Sequence, residues 1–281
     1  MPAELNQDLA RTALHGISFP AYPLILQELE QILQRDNPDA RLVAARIARD
    51  ITLSAALLKA VNAPLFGLER RCSSLPQAVQ VVGMRNVTSL CKALMLRQTL
   101  ERATLAIDMP GFWDNAEAVA ALAAHIATLV PRVVREDAFA FGLLREAGIP
   151  LLMQRWPEYR QTLQDAAGEA RPMTAIEEER HGIHHATVSQ LLVRSWGWPE
   201  SLCQGIQRHH EIHLFLRDQG VSGTVLTLIA INRLAEHLHQ RTQCSGQDAD
   251  WERAGGAILA FLGMNAAEYR ELAQEVGELL K

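Results

Sequence analysis

Apolar side chains recur at spacings of three and four along nearly all of this 281-residue chain, and no segment alternates apolar and polar residues as a half-buried strand does. The fold class this implies is all-α, a compact multi-helix bundle with an N-terminal helical lobe. Leu26, Leu29, Ile32 and Leu33 mark a first helix that stops at Asp36-Asn37-Pro38. Leu42, Ala45 and Ile47 mark a second, ending near Asp50. Thr52 is placed to cap a third that carries Leu53, Leu57 and Val61. Pro76 suits the first turn of a fourth, which closes at Gly83. Val87, Leu90, Leu94 and Leu100 lie along a longer helix. Others fit Phe112–Val130, Ala138–Ala147, His185–Trp196, Glu200–His210, Thr224–His239, Trp251–Leu262 and Ala266–Leu280, while Pro150, Pro157 and Pro172 punctuate the stretch between.

Two breaks organise the chain. Ala106–Gly111 is turn-rich, and Arg217–Gly223 is a second loop. Neither has the composition of a flexible linker, so the parts read as lobes of one unit. The expected divisions are an extension over 1–16 and a helical domain over 17–212, with C-terminal helices over 213–281 packed on the same unit. Within the domain an N-terminal lobe runs to about 108 and a second lobe starts at about 111. Leu53, Leu57, Val61, Leu90 and Leu94 form an apolar face too large for the first lobe to bury alone.

A hydrophobic fraction of 48% supports a core, and 32 acidic against 27 basic residues disfavour nucleic acid or anionic membranes as partners. Uncharged stretches such as Ala118–Pro131 and Gln219–Asn232 run fourteen residues, short of the roughly 20 that span a bilayer. The opening MPAELNQDLA lacks a basic segment followed by an apolar one, so no secretory signal is expected. Cys72, Cys91, Cys203 and Cys244 are far apart and form no CxxC pair, which fits buried thiols in a reducing compartment better than disulfides or a zinc ribbon. A cytoplasmic protein is the expectation. No Walker loop, GxGxxG, GxSxG or HExxH is present.

Histidine is the one chemically suggestive residue. Six of the ten fall at His181, His184, His185, His209, His210 and His213. Neutral imidazoles brought together could hold zinc or iron. Adjacent residues on a helix diverge by about 100°, however, so one member of each pair is expected to face a shared site. Glu211 is the one carboxylate at ligand spacing. The competing expectation is structural: His185 opens a helix and His209 packs inside. Arg132, Arg135 and Arg145 could form a phosphate pocket, but solvated faces and ion pairs are the simpler reading. Glu177-Glu178-Glu179-Arg180 reads as a charged outer face. Trp113, Trp196 and Trp198 read as packing anchors.

A series of short motifs follows in order. Phe19-Pro20 opens the first long helix, then come Asp50-Ile51-Thr52-Leu53 with Leu57-Leu58, and Ala60-Val61-Asn62-Ala63 with Phe66-Gly67. Leu75-Pro76-Gln77-Ala78 runs to Val82-Gly83. Phe112-Trp113, Phe141-Gly142-Leu143-Leu144, Trp196-Gly197-Trp198-Pro199 and His209-His210-Glu211 complete the set. Over Ile17–Ile212 this series resembles the HDOD family, helical bacterial regulatory modules related to HD-type phosphohydrolases. The resemblance implies an HD-like bundle, and extends through Ile229–Leu238 and Phe261–Val276. It also implies that His185 and His209-His210 match histidines usual in such modules.

The resemblance further implies where metal ligands would stand in an active hydrolase, and this chain departs there. Asn115 stands for a first His, Arg145 and Glu146 for a His-Asp pair, and Asn232 for a final Asp. Arginine has no lone pair for a cation and a fixed positive charge. Asparagine offers a neutral carbonyl oxygen in place of an imidazole or carboxylate. A degenerate site is therefore expected, with no catalytic residue, no metal and no cofactor, and with His185, His209 and His210 as a residual ligand site. The expected function is a non-catalytic signal-transduction module acting through other signalling proteins in trans, with homo-oligomerisation left open. The alternatives are a divergent metal-dependent phosphohydrolase and a nucleotide-sensing module.

Overall fold

The computed structural model describes residues 15–279 apart from 67, 69, 105–108, 110, 169–170, 217–219 and 244–247. The expected breaks at Ala106–Gly111 and Arg217–Gly223, residue Cys244 and most of the 1–16 extension lie largely or wholly outside the described residues. Every element among the described residues is helical. Helices α1 (Leu24–Leu33), α2 (Ala40–Ile47), α3 (Ile51–Val61), α4 (Leu75–Val82) and α5 (Met84–Ala103) form the N-terminal lobe, with a 3₁₀ turn at Pro64–Phe66. Then follow α6 (Phe112–Leu129), α7 (Arg135–Leu144), α8 (Gly148–Arg155), α9 (Tyr159–Gly168), α10 (Met173–His181), α11 (His185–Ser195) and α12 (Glu200–Gln207). A 3₁₀ turn at Ile212–Phe215 leads to α13 (Gly223–Thr242), α14 (Ala249–Leu262) and α15 (Ala266–Leu279).

Local chemistry sets several boundaries. Asp50, rather than Thr52, caps α3 by accepting from the Leu53 N–H, because Asp50 is the residue whose backbone is still extended. Gly83 ends α4 at φ 92°, a region that side chains rarely adopt, and lets α5 begin at once. Helix α2 buries Val43, Ala44 and Ile47, leaving Leu42 exposed, so its inner face is turned one residue from the expected one. Helix α7 begins and ends three residues before the predicted span, and α9 and α10 occupy the stretch where prolines masked the pattern. Pro150 is tolerated because it lies in the first turn of α8.

One core joins the lobes. Leu53, Leu57, Val61, Leu90 and Leu94 share a buried cluster with Phe141, Leu192, Trp196 and Ile206. Trp196 donates through Nε1 to the Pro20 carbonyl at 2.8 Å and meets Tyr22 edge-on. Lys92 reaches across to the Gly197 carbonyl at 3.0 Å, over the rings of Tyr22 and Trp198. A second cluster seats the C-terminal helices on α6 through Val119, Leu122 and Ile126 with Ile231, Leu234, Ile258 and Val276. Gly142 lets α7 lie directly on α6, since a Cβ there would come within 2.8 Å of the Ala120 Cα. No helix among the described residues is long and apolar enough to cross a membrane.

The start of α7 holds a carboxyl in an unfavourable place. Glu136 is buried, and burial outweighs the backbone hydrogen bond and Arg135 to raise its pKa. A raised folded-state pKa means that stability from the neutral form is fully present below the unfolded value of about 4.3 and lost as pH rises through the folded value. Glu136→Gln is therefore expected to melt higher than wild type at pH 7, with the gap closing near pH 4. Thermal unfolding at both pH values checks it, and a lower melting temperature for the variant at pH 7 would contradict it.

Candidate functional site

Three turns converge on one interior point. The first is residues 145–147 between α7 and α8, the second is the start of α11, and the third is the turn that follows α12. Glu146, His185, His209 and His210 each bring one ligand-type atom to this point, all within 4.8 Å of one another. His185 Nε2 stands 2.9 Å from Glu146 Oε2 and 2.9 Å from His210 Nε2, and His209 Nε2 stands 3.4 Å from Glu146 Oε1.

The ring orientations are fixed from behind. His185 donates from Nδ1 to Glu177 Oε2 at 2.7 Å, and its backbone N–H reaches the same oxygen at 3.3 Å. The other Glu177 oxygen accepts from the Tyr159 hydroxyl. His209 donates from Nδ1 to the Ile206 carbonyl at 2.6 Å. Both rings therefore present Nε2 to the centre. Among the described residues, His209 Nε2 is buried without a hydrogen-bond partner, whereas Glu146 Oε2 has His185 Nε2 as its ion-pair partner.

The packing that permits this is close. Gly148 lies against the start of α11, where a Cβ would come within 2.3 Å of the His185 carbonyl. The Gly148 N–H also donates to Ser189 Oγ at 2.7 Å, which joins the first turn of α8 to α11. His184 is the N-cap of α11 and accepts from the Thr187 N–H, leaving His185 as the first helical residue with its ring turned inward.

The electrostatics follow the geometry. Burial alone would raise the Glu146 carboxyl, but His185 and His209 outweigh it and hold the group well below the usual carboxylate range. Burial alone would likewise lower the His185 pKa, but Glu146 and then Glu177 push it up to about 10. Burial, reinforced by His209 and His185, depresses His210 well below the usual imidazole value.

Arg145 borders the site and is itself buried. Its Nε donates to Glu236 Oε1 at 2.5 Å and lies 3.8 Å from Glu146 Oε1, and its guanidinium also donates to the Gly142 carbonyl. Arg233 pairs with the other Glu236 oxygen at 2.5 Å and approaches Asp248 at 3.5 Å. Asn232 lies one turn before Glu236 on α13 and is fully buried, with neither amide atom hydrogen-bonded among the described residues.

The sequence-predicted residues divide accordingly. His185, His209 and His210 do come together, and both members of the second pair take part. The 100° divergence does not separate them, because α12 ends at Gln207 and the pair lies in a turn. Glu146, read as a lost ligand position, keeps a carboxylate among the three rings. Asn115 sits on an exposed part of α6 and lines nothing here. Arg135 donates to the Phe66 carbonyl while Arg145 pairs with Glu236, so the two do not share a phosphate pocket. His181 bonds Thr162, and His213 is about half exposed. Glu211 pairs with Arg208 and lies 3.8 Å from His213, outside the cluster of Glu146, His185, His209 and His210.

Glu177 is the residue that sequence reasoning misplaced. It is fully buried, not part of an outer face. The available signal was Ile176, also buried beside it, which sets the inner side of α10 at Glu177 while Glu178, Glu179 and Arg180 stay outside.

Comparison with known proteins adds family and fold. A curated relative, an uncharacterized protein of Treponema pallidum (strain Nichols), is 26% identical over 197 residues, which is 69% of this chain and 38% of the relative. The chain thus spans under two fifths of that protein's length. A crystal structure from Shewanella amazonensis SB2B, provisionally described as a metal-dependent phosphohydrolase, superposes with a TM-score of 0.68 at 14% identity, covering 99% of each chain. Another from Marinobacter aquaeolei VT8, provisionally described as a signal transduction protein, gives 0.69 at 19% identity over 98% of this chain and 64% of the other. At these identities the two structures establish a shared all-α fold. The family profile described as the HDOD domain matches residues 19–212. Covering well over half of the sequence, from the Phe19-Pro20 opening to the end of the histidine turn, that match means the chain belongs to the HDOD domain family.

Proposed function

We propose that this chain is a regulatory module that carries out no hydrolysis and acts by binding other signalling proteins in trans. The observation that carries the reading is Arg145. Its buried guanidinium stands 3.8 Å from Glu146 and is locked to Glu236, where a hydrolytic metal pair would need lone pairs. Arginine has no lone pair for a cation, and Asn232 offers a neutral amide where an acidic ligand would stand. Family membership favours regulation, and the acidic balance of the chain favours a protein over a nucleic acid as partner.

A surface suited to contact is present beside α4 and α7. Val81 and Val134, 55% and 53% exposed, flank a groove also lined by Leu68, Val82 and Asn86. Val81→Asp and Val134→Asp are expected to leave the melting temperature within a degree or two of wild type and to abolish capture of protein partners from a native lysate. Unchanged capture by both variants would remove this groove from the proposal.

A divergent metal-dependent phosphohydrolase is the second reading, favoured by the convergence of Glu146 with three histidines. A nucleotide-sensing cleft is the third. Turnover of a generic phosphodiester in the presence of Zn²⁺, Mn²⁺ or Fe²⁺ separates them. We expect none, and none in Arg145→His/Glu146→Asp, since Asn232 persists. Metal-dependent turnover that disappears in His185→Ala or His209→Ala would overturn the non-hydrolytic reading, and a nucleotide that co-purifies would favour the third.

A further inference from the structure

We propose that the seam between the two lobes holds one small monocarboxylate with an apolar body, aromatic or branched aliphatic, whose carboxylate pairs with Arg97. The site lies among α3, α5, α6 and α7 and shares no lining residue with the histidine centre. It goes beyond the proposed function, which rests on protein contacts.

A cavity of about 120 Å³ opens at this seam. Protein interiors leave few voids larger than a water molecule, and this one has room for about four at roughly 30 Å³ each. The first lobe lines it with Ala56, Ala60 and Leu94, and the second with Ala121 and Phe139. Ala56 and Ala60 lie one turn apart on α3, so two methyl groups stand where larger side chains would close the seam. Phe139 meets Phe66 edge-on, with ring centroids 6.4 Å apart, which fixes that wall. Water in such a lining finds few partners, whereas an apolar body removes the alanine, leucine and phenylalanine surface from solvent.

Size and charge select the ligand. An engineered cavity of about 150 Å³ admits benzene, so a single ring or a short branched chain fits here and a nucleotide does not. Arg97 Nη2 stands 3.2 Å from Glu117 Oε1 and Nη1 stands 3.4 Å from Glu101, while Lys59 Nζ donates to Glu117 Oε2 at 2.7 Å. Both ends of the guanidinium fork are thus engaged. Its Nε–H is buried without a hydrogen-bond partner among the described residues. A buried donor left unpaired is costly, and a carboxylate oxygen is a strong acceptor for it. Lys59 and Arg97 against Glu117 leave the lining with an excess of positive charge, which a monoanion neutralises. Entry is past Lys59, whose side chain is 74% exposed.

The test uses the full chain, titrated with benzoate and with benzamide as its neutral isostere, by calorimetry and amide-resolved NMR. We expect benzoate to saturate at one equivalent with a dissociation constant at or below about 1 mM, the range open to a ligand of that size. Amide shifts are expected to concentrate in α3, α5, α6 and α7, and benzamide to bind about tenfold more weakly. Ala60→Leu, which fills the cavity, and Arg97→Gln, which removes the guanidinium, are each expected to weaken benzoate binding by about tenfold or more. Absence of saturable binding, shifts centred elsewhere, equal affinity for benzamide, or unchanged benzoate affinity in either variant that keeps the wild-type circular dichroism would overturn the site. Ala121→Leu fills the same space from α6 and decides the matter if Ala60→Leu does not fold. None of these readouts depends on partner capture or phosphodiester turnover, so the site and the regulatory reading fail separately.

Discussion

Arg145→Met is expected to lower the unfolding free energy by about 3–5 kcal/mol, because it strands buried charge. In the native protein the guanidinium is 4% exposed and bonds Glu236 at 2.5 Å, the Gly142 carbonyl, and more distantly Glu146. Methionine fills much of the same volume, so the effect reports charge more than packing. Glu236 would retain Arg233, while the oxygen that faced Arg145 loses its partner. Denaturant unfolding measures the loss. Arg145→Met/Glu236→Leu is expected to recover more than half of it, since Arg233 still has Asp248 at 3.5 Å. A single-variant loss under about 1 kcal/mol would show that the guanidinium is not carrying the site's charge balance.

Gly148→Ala is expected to cost about 3 kcal/mol, at the upper end for overpacking. The added methyl would meet the His185 carbonyl at 2.3 Å and the Ser189 backbone nitrogen at 2.9 Å. These are backbone atoms at the start of α11, so relief requires α8 and α11 to separate. That motion would also draw His185 away from Glu146. Gly256→Ala, in α14, is the matched control. No heavy atom lies within 4 Å of its Cβ position, and replacing an interior helical glycine there should stabilise by about 0.5–1 kcal/mol. Thermal and denaturant unfolding of both variants checks the pair. Equal stability of the two would mean that the α8–α11 contact is not tight.

Most of the helical layout is legible because its signals are local. Proline, glycine and capping carboxylates act on neighbouring backbone, as at Asp50, Pro76 and Gly83, and apolar spacing needs one turn to declare itself. Errors arose where two local signals competed. Thr52 and Asp50 both offer a capping oxygen, and the one with extended backbone won. Prolines at 150, 157 and 172 hid α9 and α10, though each lies in a first turn or between helices.

The candidate site was half legible. Histidine clustering and the loss of ligand chemistry at Arg145 and Asn232 are properties of residue type, and residue type is what a sequence states directly. Which way a side chain points at a helix end is not. His209 and His210 both reach the centre because α12 stops at Gln207, and no helical divergence then applies. Glu177 turns inward because α10 lays its Ile176 side on the core. Glu146 meets His185 across 39 positions of sequence, and Arg145 meets Glu236 across 91, through the packing of α7, α8, α11 and α13. The sequence by itself therefore determined an all-α chain and the residue types gathered in its second half. Only the tertiary structure decided which of them share a centre and which face solvent. The physical reason is that periodicity fixes a helix and its inner face, whereas contacts across tens of residues depend on how closely those faces pack.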